Sequence, residues 1–195
     1  MEIKEFNKEV LEKAAQQGAQ KVAAAFSTLC ACNAQNGVSK VEIIPLKQAF
    51  TYLKPDADHA IVVYAQLLSG IPGTSLLTMS REQALALVDL LNKQPVGTTG
   101  IMKDIDRSAI KETLNILSNS YMTALSENAG IDLGLGVPHM ISPDRIEEVV
   151  ERLLEKGATE DDTAIIFEAE LVIADHKISA KLLVVFNEKL AELIK

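Results

Sequence analysis

Two segments of the chain match without a gap: Asp58-His-Ala-Ile-Val-Val-Tyr-Ala-Gln66 and Asp162-Thr-Ala-Ile-Ile-Phe-Glu-Ala-Glu170. Each opens a β-branched, apolar run, and a second such run follows, at 74–79 in the first case and 178–186 in the other. Paired runs of this length, separated by turn residues, read as antiparallel strands. A helix follows each pair, and a long helix and an earlier strand precede it. Ser80 and Gln83 form a capping box for the helix that runs to about Asn92. Each half therefore reads helix, strand, strand, strand, helix, the first over about residues 1–95 and the second over about 101–195. Lys93 to Gly100 is the one linker-like stretch.

Two such halves can pair about a pseudo-twofold axis, giving one sheet with the long helices packed on it. The expectation is an α+β fold in a single, internally duplicated domain. The first helix is read from Ile3 to about Cys32, with a bend at Gly18, and strands at 38–46 and 133–141. A helix opened by Ser142 as its cap and Pro143 as its first residue, running to about Lys156, has no counterpart in this reading of the first half. Ile166, Glu168 and Glu170 alternate with Phe167, Ala169 and Leu171, as in a sheet with one wet face.

The long helix of the second half contains Arg107 to Leu125, uninterrupted by Gly or Pro. Ile110, Leu114, Leu117, Tyr121 and Leu125 recur at helical spacing and define a core-facing stripe. Ser108, Glu112, Asn115 and Asn119 recur in the same way on roughly the opposite side. This second stripe has short side chains and a single carboxylate, unlike the Lys/Glu surface of an ordinary solvated helix.

Ser108-x3-Glu112-x2-Asn115, followed by twenty-two residues and Pro138, resembles the signature of the CheC/CheX/FliY family. That pattern is Asp or Ser, x3, Glu, x2, Asn, x22, Pro, and the order of elements also agrees. Members of the family are phosphatases of the phosphorylated chemotaxis response regulator CheY. The length, with two full halves, is nearest to CheC. The resemblance implies an α+β fold with internal duplication and hydrolysis of the aspartyl phosphate of a CheY-like regulator. Asn115 would orient the attacking water and Glu112 would pair with the regulator's active-site lysine, with Ser108 and Pro138 in supporting places. No cofactor of the protein's own is implied, since the Mg²⁺ belongs to the phosphorylated regulator. A second implied partner is the deamidase CheD, and an adaptor that binds CheD or phosphorylated CheY with little turnover is the alternative reading.

Many CheC proteins carry the motif twice. Placing Ala25-Phe-Ser27 on Ala124-Leu-Ser126 sets Glu9, Lys13, Gln16 and Gln20 opposite Ser108, Glu112, Asn115 and Asn119, and Ser39 opposite Pro138. Lys13 replaces the carboxylate and Gln16 the amide, so the first site is read as degenerate and inactive. Shifting by one residue recovers Glu12 but sets Ala15 at the amide position and Val38 at the proline.

The remaining features are plainer. A net charge of −8 argues against a nucleic-acid backbone or an anionic membrane as the main partner. No secretory signal is apparent and every apolar run is strand-length, so a cytoplasmic protein is expected. Cys30 and Cys32 read as reduced thiols, and no His/Cys cluster completes a metal site. His59, His139 and His176 read as surface or turn residues. Gly134-x-Gly136 lacks the third glycine and the helix of a dinucleotide site.

Overall fold

The computed structural model describes residues 8–55, 60–68, 71–130, 132–149 and 162–190. Its elements run α1 (Lys8–Cys30), β1 (Gln35–Pro45), α2 (Leu46–Leu53), β2 (Ala60–Gln66), β3 (Gly73–Ser80), α3 (Arg81–Leu91), α4 (Asp104–Ala129), β4 (His139–Ile141), β5 (Thr163–Ile173) and β6 (Ile178–Asn187). All six strands join one antiparallel sheet in the order β1-β5-β6-β3-β2-β4. Exchanging β1 with β4, β2 with β5 and β3 with β6 reverses that order, as a pseudo-twofold requires.

The register locates the axis. Ala60 of β2 pairs with Ser80, and the matching Ala164 of β5 pairs with Asn187. Ser80 and Asn187 are therefore equivalent, and so are Leu76 and Leu183, four residues earlier in each strand. Leu76 and Leu183 are also paired with each other. A residue paired with its own image marks the axis. At the edges, Val41 lies opposite Phe167 and Met140 lies opposite Val63, the match of Phe167. Val41 thus corresponds to Met140, and two residues earlier Ser39 corresponds to Pro138. β1 does not pair within its own half: its partner is β5 of the other.

Strand alternation divides the core in two. On one face Val63, Leu77, Phe167, Leu182 and Phe186 meet Leu11, Val22, Phe26, Ile110, Leu114, Leu117 and Tyr121, the inner stripes of α1 and α4. On the other, Val62, Tyr64, Leu76, Ile166, Leu183 and Val185 are covered by Leu46, Ala49 and Leu53 of α2 and by Ile146 and Val149. The face of β5 expected to be wet is therefore largely covered, with Glu170 and Val172 only partly exposed. Ile166 is buried there, and so is Glu168, which accepts a hydrogen bond from Tyr52 Oη at 2.6 Å and faces Lys40 Nζ at 3.5 Å and Lys181 Nζ at 4.0 Å. The Tyr52 contact and the neighbouring Glu168 hold the Lys40 ammonium well above the usual lysine range, despite burial acting the other way.

The helix after Ser142 is likewise not peculiar to the second half, because α2 stands in the corresponding place between the first two strands. It opens as a 3₁₀ turn at Pro143–Arg145, is helical at 146–149, and the rest lies outside the described residues. Ser142 does not cap it. Its hydroxyl donates to the Asp144 carboxylate instead. The strand expected at 133–141 is only three residues long, preceded by a lone bridge between Leu135 and Leu67. Ser80 and Gln83 do form both bonds of the capping box, at 3.2 and 2.9 Å.

Gly18 allows α1 and α4 to touch. A Cβ there would lie 2.7 Å from Cζ of Tyr121, whose ring is buried and whose hydroxyl donates to the Ala15 carbonyl at 3.3 Å. The glycine read as a bend is thus the seat of an aromatic ring. The linker is held by Asp89, a buried residue of α3 whose carboxylate accepts from the amides of Gly97, Thr98 and Thr99 at 2.8, 3.0 and 2.9 Å. Burial pushes its carboxyl up, but the Thr99 hydroxyl and these amides outweigh it and hold it below the usual range.

Candidate functional site

The backbone of α4 sets the geometry. Asp106 accepts from the Lys103 amide at 2.8 Å at the start, and Gly130, at φ 64°, closes the end. Ile110, Leu114, Leu117, Tyr121 and Leu125 are all buried. At about 100° per residue the opposite side must carry Ser108, Glu112, Asn115 and Asn119. Asn115 is partly exposed and the other three exposed.

Three of these side chains form a hydrogen-bonded line along the helix. Asn119 Nδ2 donates to Asn115 Oδ1 at 3.0 Å, and Asn115 Nδ2 donates to Glu112 Oε2 at 3.4 Å. An amide has two donor hydrogens and two acceptor lone pairs. One of each is engaged here, so one of each is left to face solvent, with the plane of the amide set by neighbours one turn away on either side. Ser108 stands apart from this line, donating to the Asp104 carbonyl at 3.0 Å. Pro138 is half-buried in the extended segment that leads into β4. The start of α4 reaches that strand through Arg107, whose Nη1 lies 3.9 Å from Met140 Sδ.

Asn119 belongs to the site although it lies outside the four-residue motif. Its spacing of four from Asn115 was the available signal, since side chains at i and i+4 meet on a helix.

In the first half, Lys13, Gln16, Gln20 and Glu9 are exposed on α1. Glu12 and Gln16 line an open groove of about 540 Å³ together with Lys8, Asn36, Ser39, Lys40 and Glu42. Glu12 is bridged to Lys8 at 3.5 Å. The strand register, independent of the helix, places Ser39 at the position of Pro138. Its hydroxyl oxygen is buried and has no hydrogen-bond partner among the described residues. So α1 carries a basic and a longer amide side chain where α4 carries the carboxylate and the short amide.

Other candidate chemistry is absent among the described residues. No group of three His, Cys, Asp or Glu could hold a metal ion. Cys30 is buried, and that burial pushes its thiol up to about 12, with Cys32 adding to the effect; Cys32 is raised as well, first by burial. Neither is an activated nucleophile. His139 lies exposed on β4 with its ring 5.8 Å from that of Tyr64, and His176 sits in a 3₁₀ turn; His59 lies outside the described residues. No helix among the described residues is long and apolar enough to cross a membrane.

No family model matches the chain. A CheC1 protein of Halobacterium salinarum, to which CheY-P phosphatase activity is ascribed, is 24% identical over 174 residues, 89% of this chain and 87% of that protein. The solved FliY of Thermotoga maritima superposes with a TM-score of 0.72 at 18% identity, covering 98% of this chain and 95% of that one. The chain is similar in sequence to a CheC protein and shares its fold with FliY, CheX and CheC-like proteins. A CheX from Desulfovibrio desulfuricans and a CheC-like protein from Shewanella share the fold, with TM-scores of 0.54 and 0.58. The fold extends to FliM: the FliM in a Helicobacter pylori FliG–FliM complex gives a TM-score of 0.68 at 9% identity, covering 94% of this chain and 95% of that one.

Proposed function

We propose that this CheC-type chain hydrolyses the aspartyl phosphate of a CheY-like response regulator, using the polar line on α4. The observation that carries the reading is the hydrogen-bonded run Glu112–Asn115–Asn119 on the face of α4 turned away from the core. A phosphorylated receiver already holds a divalent cation and a lysine against its phosphoryl oxygens. What remains is to place a water in line with the scissile P–O bond. Oδ1 of Asn115, with Asn119 occupying one lone pair, accepts a hydrogen of that water through the other, leaving a lone pair on the water oxygen directed at phosphorus. The bond to the aspartyl oxygen breaks as the water oxygen joins phosphorus, and the products are inorganic phosphate and the free carboxylate. An amide suits this position because it stays neutral as charge moves.

Glu112 docks. Its carboxylate meets the receiver's active-site lysine, a contact that strengthens as water leaves the interface. Asn119 is a positioning residue, holding Asn115 from the turn beyond. Ser108 and Pro138 frame the helix face, and the Mg²⁺ of the reaction comes with the receiver. The first half, with Lys13 and Gln16, does not turn over.

The test is decay of a phosphorylated CheY-like receiver, with and without this protein and its Asn115→Ala variant. Accelerated decay that the variant loses supports the reading; unchanged decay with every receiver of the source organism rejects it. The adaptor alternative, binding CheD or phosphorylated receiver without turnover, draws support from the FliM structures, where the same fold occurs in a complex with FliG. It requires binding without acceleration.

A further inference from the structure

Hydroxyl groups on α4 are bonded in two ways. Ser108, Thr113, Ser120 and Thr123 each donate to the carbonyl one turn earlier in their own helix, at 3.0, 2.9, 2.9 and 2.8 Å. Ser118 is bonded outside the helix. Its Oγ lies 2.8 Å from Ser75 Oγ on β3, and Ser75 Oγ in turn donates to the Leu183 carbonyl at a long 3.5 Å. With Ser75 donating to Leu183, Ser118 is the donor to Ser75. Both serines are fully buried.

The apolar stripe of α4 decides which side of the helix meets the sheet, but apolar contact is non-directional and tolerates small rotations and slides. A hydrogen bond does not. It weakens steeply as its angle closes, and breaking it inside the core leaves buried hydroxyls without partners. Tyr121 fixes α4 against α1. The serine pair fixes it against the sheet, at the carbonyl of the residue that marks the pseudo-twofold axis. Ser118 falls within the turn that links Asn115 to Asn119, about 4.5 Å along the axis from Asn115 at about 1.5 Å per residue. A rotation at Ser118 is therefore passed directly to the polar line. The first half supplies the contrast. There Ser118 corresponds to Ala19 and Ser75 to Leu182, both apolar members of the same core. The hydroxyl pair accompanies the helix that carries the complete polar line, and apolar residues replace it beneath the degenerate one.

We propose that Ser75 and Ser118 are positioning residues for this hydrolysis: their buried bond sets the rotation and height of α4 on the sheet, and so the place at which Asn115 Oδ1 holds the attacking water. The inference rests on the function proposed above. Neither serine touches the receiver, and both act through the helix. The amide works within a narrow tolerance, because a misplacement of about 1 Å can cost ~10²-fold in rate. Docking is more forgiving. The charge contact of Glu112 falls off only gradually with distance, so a helix that shifts slightly still holds the receiver. The signature of the serine pair is therefore a fall in kcat with little change in KM.

The test is steady-state dephosphorylation of a CheY-like receiver by the full chain, paired with denaturant unfolding and run at a temperature where every variant is folded. Ser75→Ala and Ser118→Ala should each lower kcat ~10-fold, with KM unchanged, and each should lose stability because one hydroxyl is left without its partner. The double variant Ser75→Ala/Ser118→Ala should recover much of that stability, since neither hydroxyl remains, and yet keep the low kcat. Thr113→Ala removes a buried hydroxyl of α4 that bonds only within the helix, and it should turn over as the wild type does. Turnover that returns together with stability in the double variant would make the pair a purely structural bond and overturn the proposal, leaving the phosphatase reading in place. A loss of kcat in Thr113→Ala as large as that in Ser118→Ala would overturn it as well, because any disturbance of α4 would then suffice. Wild type that does not accelerate decay overturns both readings.

Discussion

The two long helices occupy equivalent places in a duplicated sheet but present different chemistry. On α4 a short amide is held between a carboxylate and a second amide. On α1 the same positions carry Lys13, Gln16 and Gln20, and the carboxylate beside Gln16 in the groove is Glu12, one residue out of frame. The edge strands diverge in the same way. Lys40, on β1, forms an ion pair with buried Glu168, while at the matching register positions His139 and Tyr64 make a ring contact. Duplication therefore preserved the backbone and the apolar spacing, and left the polar faces free to change. A core position must keep its volume or lose stability. An exposed position carries no such cost.

The contrast can be broken most directly at the amides. Asn115→Ala should lower the acceleration of receiver dephosphorylation by at least ~10²-fold, the size expected when a reacting water loses its orientation, while Gln16→Ala leaves it unchanged. A large loss from Gln16→Ala, measured in the same decay assay, would mean that the first half works. Lys13→Glu with Gln16→Asn, introduced into the Asn115→Ala background, sharpens the point. Recovered turnover would show that the helix residues alone separate the halves.

The helix contact is the next asymmetry. Gly18 receives the ring of Tyr121, whereas the residue matching Tyr121 in α1 is Val22. Gly18→Ala gains about 1 kcal/mol of helix propensity, yet its methyl would lie within 3 Å of a buried ring that cannot withdraw. Overpacking of this kind costs about 1–3 kcal/mol. The expected result is a net loss of stability in denaturant unfolding. A gain would show that the helices separate easily.

Asp89 fastens the linker between the halves. With its pKa below the unfolded value of about 3.9, its stabilisation is present above about pH 4 and disappears as pH falls through the folded pKa. Asp89→Ala should cost about 1–3 kcal/mol at pH 7, and the difference from wild type should shrink in acid, as read from unfolding curves at pH 7 and pH 3. Asn119→Ala should have the smallest effect, a several-fold reduction in turnover with receiver binding retained. A loss as large as that of Asn115→Ala would make Asn119 more than a positioning residue.

Much of this was legible because the relevant signals are local. The capping box at Ser80 and Gln83, the turn-bounded strands and the two stripes of α4 all lie within a few residues of one another in the chain. The helix pair of the site needed nothing beyond spacing. α2 escaped notice because it has eight residues, follows a strand directly and starts at Pro45 without a side-chain cap; Leu46, Ala49 and Leu53 are too short a run to announce a helix. Glu168 looked solvent-facing because its partners come from elsewhere, Tyr52 and Lys40 lying more than a hundred residues away in sequence. The relation of Ser39 to Pro138 gained its independent support only from the paired registers of β1 and β4.

The pairing of β1 with β5, and of β4 with β2, means that neither half owns its outer strand. If the chain were cut between Lys93 and Gly100, each fragment would retain a hairpin and lose the neighbour that its third strand requires. Two-stranded hairpins are marginal in water, so the fragments should be unfolded separately and assemble on mixing. The protein is, in effect, a strand-exchanged dimer whose two subunits were joined into one polypeptide, and its sheet should form or melt as a whole.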